Sequence, residues 1–517
     1  MERTSSLEST PILSQSFAVG QGFNIYGTLD ISGLLRPLFD FSKAPKETFT
    51  FLGKDYLVPQ PIIAVENTQG YVHEGTYESR ENLQNSLAVN AGVEASYGAF
   101  SGEIRSDYSG EFTQNSQYVY SYKTSYNQLA FLELNDTSDY LNDDFKHAVA
   151  QLPDEVTPNN TQIFFQFFTK YGVYYTQKIV LGGSLKFLSS IEKKEELSQQ
   201  KLDFLFNAQY EGLFSSGKID SKVSVSQDWQ TFSQNSRQSV IAQGGTAEAV
   251  AAFQQMNLAN PSNDTVSAYK QWAASLQTDP AIVDFQLAGI WQLCGDKEQA
   301  VLDAWQAFGQ VMHPRLTIYT ASNIISWPYV DSPVTPTITL GEQLVPNEPA
   351  ATACGYQVIV LDSAKLSDTS AVLFNRYYTL PKVQSWGQVY PNMYNEMLTD
   401  LKNNNLVKNG NVLVLASFGM DNDMPPTNAM FGFLESAGAG ETVADWINNC
   451  DPGSQVGNNY SWVSFPVVYV LVGMFNSGPG TGVEFFGNAH GDSQINANLE
   501  VFFYRESYNG KYTIGLG

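Results

Sequence analysis

The chain has 517 residues, 43% of them hydrophobic and 13% aromatic, so it can bury a substantial core and exceeds what one core usually organises. Its 28 Lys and Arg against 52 Asp and Glu leave a net charge of −24. That balance excludes nucleic acid as a partner and simple electrostatic capture by anionic lipid, both of which need basic side chains.

Residues 1–16 hold one Arg and lack the apolar run of a signal peptide. No stretch reaches about 18 uninterrupted apolar residues. The expectation is a chain made soluble, in the producer's cytoplasm or released by a non-classical route.

From Leu87 the odd positions Leu87, Val89, Ala91, Val93, Ala95, Tyr97 and Ala99 alternate with Ala88, Asn90, Gly92, Glu94, Ser96 and Gly98, which reads as a strand. After Ser101-Gly102 the even positions take over, with Ile104, Tyr108, Phe112, Tyr118, Tyr120, Tyr122 and Tyr126, interrupted by Ser106, Gln114 and Ser116. Together the two segments read as a long hairpin. Thirteen residues rise about 43 Å, and a tilt near 40° projects this to roughly 33 Å, close to a hydrocarbon core of about 30 Å. The alternative is an amphipathic surface hairpin packed on a soluble β-core.

Apolar residues at three-to-four spacing predict helices over Ser138 to Leu152, Gln162 to Lys170, Ala247 to Asn257, Val266 to Leu276 and Asp296 to Val311. Between the second and third lies another alternation, Leu202, Phe204, Phe206, Ala208 and Tyr210, with Leu205 the one mismatch. A turn at Ser215-Ser216-Gly217 leads to a return strand carrying Ile219, Val223, Val225 and Trp229. Two hairpins from one chain cannot cross lipid alone, because open edges would leave backbone groups unpaired at several kcal/mol each, so insertion requires many copies closing one barrel.

Pro328, Pro333, Pro336, Pro346 and Pro349 mark a linker over residues 326–353, between an N-terminal domain at 14–325 and a C-terminal domain at 354–517. The latter shows buried-strand segments at Tyr356 to Asp362, Asn411 to Phe418 and Val467 to Gly473, and helices at Met393 to Lys402 and Thr442 to Asn449. Trp386, Tyr390, Trp446 and Trp462 are candidate sugar-stacking residues whose other reading is core packing. Asp421-Asn422-Asp423 offers a cation site or a solvated turn.

Tyr171-Gly172-Val173-Tyr174-Tyr175 followed by Gly182-Gly183 resembles the motif of the membrane attack complex/perforin superfamily, with Val173 and Tyr174 departing from its usual Ser/Thr and His. Similar family segments are Ala18 to Asn24, Gln243-Gly244-Gly245, Tyr269 to Ser275 with its Trp-x-x-Ser pattern, and Asp279 to Ile282. The resemblance covers roughly residues 14 to 325. It implies an α+β fold, a bent antiparallel four-stranded sheet with two flanking helical clusters that unfurl into transmembrane hairpins, near residues 78–130 and 186–240.

On that reading the lipid face of the first hairpin is Leu87, Val89, Ala91, Val93, Ala95, Tyr97, Ala99, Tyr118, Tyr120 and Tyr122, and that of the second is Leu202, Phe204, Phe206, Ala208, Tyr210, Ile219, Val223 and Val225. Tyr171, Gly172 and Tyr175 carry the motif. Gly182, Gly183, Gly244 and Gly245 are hinge candidates, because a sheet that bends needs backbone without Cβ clashes.

The C-terminal order of strand, Trp386, helix, Val412 to Phe418, helix and Val470 to Gly473 resembles the interleukin-like inducer (PANDER-like) domain, which implies target recognition, with a glycan as one candidate. The partners expected are a target-cell membrane, through lipid, glycan or protein receptor, and further copies of the chain. His73, His147, His313 and His490 have no nucleophile or metal spacing, so no catalytic residue, metal or cofactor is assigned. Cys294, Cys354 and Cys450 are expected as buried thiols, with a Cys354–Cys450 bridge left open. The function implied is a pore-forming toxin or defence effector, with insecticidal action as one use. The alternative is a non-lytic family member that binds through its C-terminal domain.

Overall fold

The computed structural model describes residues 10–94, 98–108, 118–135, 138–192, 197–258, 260–323, 335–346, 354–380, 390–408, 410–421, 425–440, 466–488 and 494–516. Two compact units divide the chain. Among the described residues the first comprises those from 10 to 309 and 506–509, and the second those from 310 to 505 and 510–516.

Unit 1 is built on strands β1 (Gln21–Phe23), β2 (Leu34–Pro37), β3 (Lys46–Phe51), β4 (Lys54–Pro59), β5 (Ile62–Tyr77), β6 (Tyr118–Leu134), β7 (Tyr174–Glu192), β8 (Arg237–Gln243) and β9 (Ala281–Gly289). Its helices are α1 (Arg80–Asn90), α2 (Ser101–Asp107), α3 (Asp143–Ala150), α4 (Thr161–Tyr171), α5 (Gln199–Glu211), α6 (Ser221–Ser224), α7 (Gln227–Asn235), α8 (Ala247–Gln254), α9 (Asn263–Ser275) and α10 (Glu298–Met312), the last running past the unit's end.

The antiparallel sheet runs β2-β1-β7-β6-β5, with β8 and β9 both paired to β7. β5, β6 and β7 have 16, 17 and 19 residues, about three times the usual strand. The fourth long position is shared. β9 pairs with β7 from Tyr174 to Gly182, and β8 takes over from Ser184 to Ser190.

The helices expected in the N-terminal part form as α3, α4, α8, α9 and α10. The two alternations do not form strands over their main lengths, and this corrects the strand reading. Leu87 and Val89 lie on α1, with Ala91 at its C-cap, while Leu202, Phe204, Phe206, Ala208 and Tyr210 lie on α5 and Val223 on α6. The reason is that a spacing of four is common to both periods. Leu83, Leu87 and Ala91, and likewise Leu202, Phe206 and Tyr210, recur every four residues and so share a helix face.

The mismatch decides the case. Leu205 is 2% exposed and Phe204 60% exposed, as a helix requires and a strand would reverse. Ser79 and Ser198 cap the two helices by accepting from Asn82 N and Lys201 N. Tyr118, Tyr120 and Tyr122 lie on β6, in a strand as expected. Ala95 and Tyr97 lie outside the described residues.

Unit 2 has β10 (Arg315–Asn323), β11 (Thr337–Leu340), β12 (Gln343–Leu344), β13 (Gly355–Leu361), β14 (Val372–Thr379), β15 (Val412–Phe418), β16 (Met420–Asp421), β17 (Pro466–Met474), β18 (Val483–Asn488), β19 (Gln494–Tyr504) and β20 (Thr513–Leu516), with helices α11 (Tyr390–Asn403) and α12 (Asn428–Ser436). One sheet runs β14-β13-β15-β17-β16 with β18 on β17, and a second runs β12-β11-β10-β19-β20.

The continuous apolar runs of β13, β15 and β17 are explained by burial on both faces. Tyr356, Val358, Leu413, Leu415, Tyr469 and Leu471 join a core that includes Tyr394 and Met397 of α11. Ile359, Val414, Val468 and Val470 join another with Leu316, Ile338 and Val501 of the second sheet. The described part of the proline-rich segment, residues 335–346, forms β11 and β12 rather than free linker, and β10 belongs to this unit. The helix expected at 442–449 and Trp386, Trp446, Trp462, Asn422, Asp423 and Cys450 fall outside the described residues.

Leu471→Ala, at a position with no exposure, is expected to destabilise by about 2–5 kcal/mol and lower the urea midpoint of unfolding. Leu373→Ala, at a half-exposed edge position, should stay within about 0.5 kcal/mol.

Candidate functional site

The candidate site is the bend of β7 together with the two helical groups laid against its sheet. At Gly182, φ is +154°, and a Cβ there would stand 2.0 Å from the Asn127 carbonyl oxygen. The β6–β7 register slips between Gln128 and Ala130, opposite this point. A Cβ on Gly183 would meet Leu276 Cδ2 at 2.3 Å and Trp272 Cζ2 at 2.9 Å.

Gly244 and Gly245 both have left-handed φ, and a Cβ on Gly244 would stand 2.4 Å from the Gly182 carbonyl oxygen. Trp272 Nε1 donates to Gly244 O at 2.9 Å, and Ser275 Oγ accepts from Thr246 N at 3.1 Å. The structure therefore brings all four hinge candidates together with the Trp and Ser of α9. The glycines admit the close backbone approach where β7 exchanges β9 for β8.

The aromatic-glycine motif is a packing element. Gly172 has φ +83°, and a Cβ on it would stand 2.5 Å from Phe23 O, while one on Gly22 would stand 1.8 Å from Tyr171 O. The two glycines let α4's end cross β1. Tyr171 is buried and donates to Asp144 O at 3.2 Å. Burial pushes the Tyr175 hydroxyl up to about 12. Val173 and Tyr174 are buried, and Tyr174 packs edge-on to Trp291 and Trp305 while its hydroxyl accepts from Glu94 N at 3.1 Å.

Neighbouring residues on a strand point to opposite faces, and the two helical groups use alternate ones. On one face, Tyr77 donates to Ser86 of α1 at 2.7 Å, and Asn90 Nδ2 donates to Tyr122 at 3.0 Å. Lys186 there pairs with Glu103 and, at 3.2 Å, with Asp107, both on α2.

On the other face, Thr76 donates to Asp203 of α5 at 3.0 Å. Lys123 Nζ donates to Asn207 at 3.0 Å and lies 4.7 Å from the Tyr210 ring centre. Phe187 stacks on Phe206 at 4.7 Å. Each helical group thus adds polar fastenings to apolar packing, with Leu83 and Ile104 buried on the first and Leu202, Leu205 and Phe206 on the second.

Of the proposed lipid-face residues, Ala91, Val93, Ala99, Tyr118, Tyr120, Tyr122, Leu202 and Phe206 are buried in this state. Leu87, Ala208, Tyr210, Ile219 and Val223 are half-buried, and Val89, Phe204 and Val225 are exposed. The sequence reading missed the Lys186–Glu103–Asp107 cluster. Its one signal was a lone Lys inside the apolar run Leu185-Lys186-Phe187-Leu188.

Cys294 is a buried thiol, pushed up to about 12 by burial and by Glu298. Cys354 is also buried. Among the described residues no His, Cys, Asp and Glu group could hold a metal ion, and no helix is long and apolar enough to cross a membrane.

The MAC/Perforin domain family model matches residues 14–313. No curated protein sequence matches the chain. Among solved structures, GNIP1Aa from Chromobacterium piscinae aligns at 19% identity with a TM-score of 0.47, over 68% of this chain and 66% of its own length. A putative cell invasion protein with a MAC/Perforin domain from Bacteroides thetaiotaomicron aligns at 14% identity and 0.39, over 66% and 71%. A non-hemolytic pneumolysin from Streptococcus pneumoniae aligns at 9% and 0.24, over 62% and 65%.

Two substitutions grade the bend. Gly182→Ala meets backbone and is expected to cost roughly 2–4 kcal/mol, from strain and overpacking together. Gly183→Ala meets mostly the movable Leu276 side chain and should cost about 1–3 kcal/mol, so the first variant shows the larger fall in Tm on thermal unfolding.

Proposed function

The chain belongs to the MAC/Perforin family, and from that membership we propose that it is a pore-forming toxin or defence effector. It binds a target membrane, assembles with further copies into a ring, and converts α1–α2 and α5–α7 into two β-hairpins that join one barrel. The C-terminal unit recognises the target, with a glycan as one candidate ligand, and an insecticidal role is among the uses this design serves.

The observation that carries the reading is the placement of two capped, amphipathic helical groups on opposite faces of one long sheet, each joined to strands it would extend. β6 and β7 already pair from Tyr118–Glu192 onward, so strands grown from their ends would continue an existing ladder. The polar fastenings at Tyr77–Ser86, Thr76–Asp203 and Lys123–Asn207 favour release, because water can replace such bonds at small net cost. In lipid the freed strands must close edge to edge with those of other copies, which makes the ring a physical requirement.

A disulfide between Thr76→Cys and Asp203→Cys would tie α5 to β5. Dye release from vesicles made with insect-cell or erythrocyte lipids is expected to fall to background in the oxidised variant and return with reductant, while vesicle binding is retained. Release at the wild-type rate with the disulfide closed overturns the mechanism.

A further inference from the structure

The far end of the chain contributes four residues, Glu506–Asn509, to unit 1. They form the turn between β19 and β20, which pair from Val501–Leu516 to Tyr504–Thr513. Glu506 forms an ion pair with Arg105 of α2, across 401 residues of sequence. Its carbonyl oxygen accepts from Asn24 Nδ2 at 2.8 Å. Tyr508 donates to Gln162 of α4 at 2.8 Å, and its ring meets Phe165 at 5.6 Å and Phe308 at 5.8 Å.

The turn is therefore anchored by an aromatic ring on the fixed helices α4 and α10, and it reaches from there to a helix expected to leave. Beside the ion pair lies a cavity of about 540 Å³ bordered by Asn24, Thr28, Gly102, Arg105, Ser106 and Glu506. Gly102 backs onto the Gly27 backbone there, while Arg105 and Ser106 border the open space.

We propose that Glu506–Asn509 is a strap that holds α2 against the sheet and must let go before the first helical group can unfurl. The inference rests on the pore-forming reading for its purpose, but its physical content concerns α2 alone. Two parts of the strap have different characters. The Tyr508 ring contact is apolar and insensitive to salt. The Arg105–Glu506 pair, with side chains 54% and 45% exposed, is screened by salt and contributes a modest restraint. The strap is thus firmly seated and lightly fastened, which suits a catch that opens on demand.

The test measures hydrogen exchange of residues 101–107 in the full chain, with α9 as internal reference. Glu506→Arg is expected to raise opening of α2 about two- to fivefold at low salt, from loss of an exposed pair. Pairing it with Arg105→Glu should return opening to the wild-type level, which a merely structural role of either residue would not do. Tyr508→Ala should raise opening at low and high salt alike. Unchanged α2 exchange in the wild-type, Glu506→Arg and Tyr508→Ala chains, or no recovery in the charge swap, overturns the strap.

Dye release from the same vesicles separates the two claims. If α2 exchange follows the charge swap but no vesicle leaks, the strap stands and the pore reading fails. If vesicles leak while α2 exchange ignores the strap variants, the strap alone fails.

Discussion

Everything in unit 1 depends on the backbone contact between Gly182 and Gly244. It is there that β7 gives up one neighbour and takes another, so that a nineteen-residue strand keeps a hydrogen-bonded partner on either side of the exchange. No side chain larger than hydrogen fits either position, and the α9 indole closes the site by donating to Gly244 O. A bend built from backbone proximity has few intermediate states, since the contact either persists with its glycines together or parts.

The two units solve the burial problem in opposite ways. In unit 2 the strands β13, β15 and β17 are covered on both faces by aliphatic side chains, and the gain from their burial is spread over two cores. In unit 1 the far ends of β5, β6 and β7 are covered by helices that add Ser, Thr, Asn, Lys and carboxylate contacts to their apolar packing. The first arrangement loses heavily when any part is removed. The second can exchange protein partners for water at its polar contacts.

Much of this was legible in the residues. The buried strands of unit 2 announce themselves as unbroken apolar runs, and five helices of unit 1 follow from their three-to-four spacing. The glycine pairs and the Trp-x-x-Ser helix point to one another only through the family resemblance, yet the structure joins them at 2.9 Å. The alternations at Leu87 and Leu202 misled because residues four apart belong to both periods. Leu205, an apolar residue out of step with the strand pattern, was the local sign of a helix. The Glu506 turn left no trace, since nothing in a sequence links positions 105 and 506.

Because α1–α2 and α5 occupy the two faces of the same strands, neither broad surface of the sheet is available to a neighbour while the helices are in place. Under the proposed mechanism, any association that leaves both groups free to depart would run along the rims of the sheet, with β5 on one side and β8 with β9 on the other. The growth direction of the proposed assembly would therefore follow from what already covers the sheet. On the proposed mechanism copies would add sideways, as staves are set against staves, with the space above and below each stave left for motion.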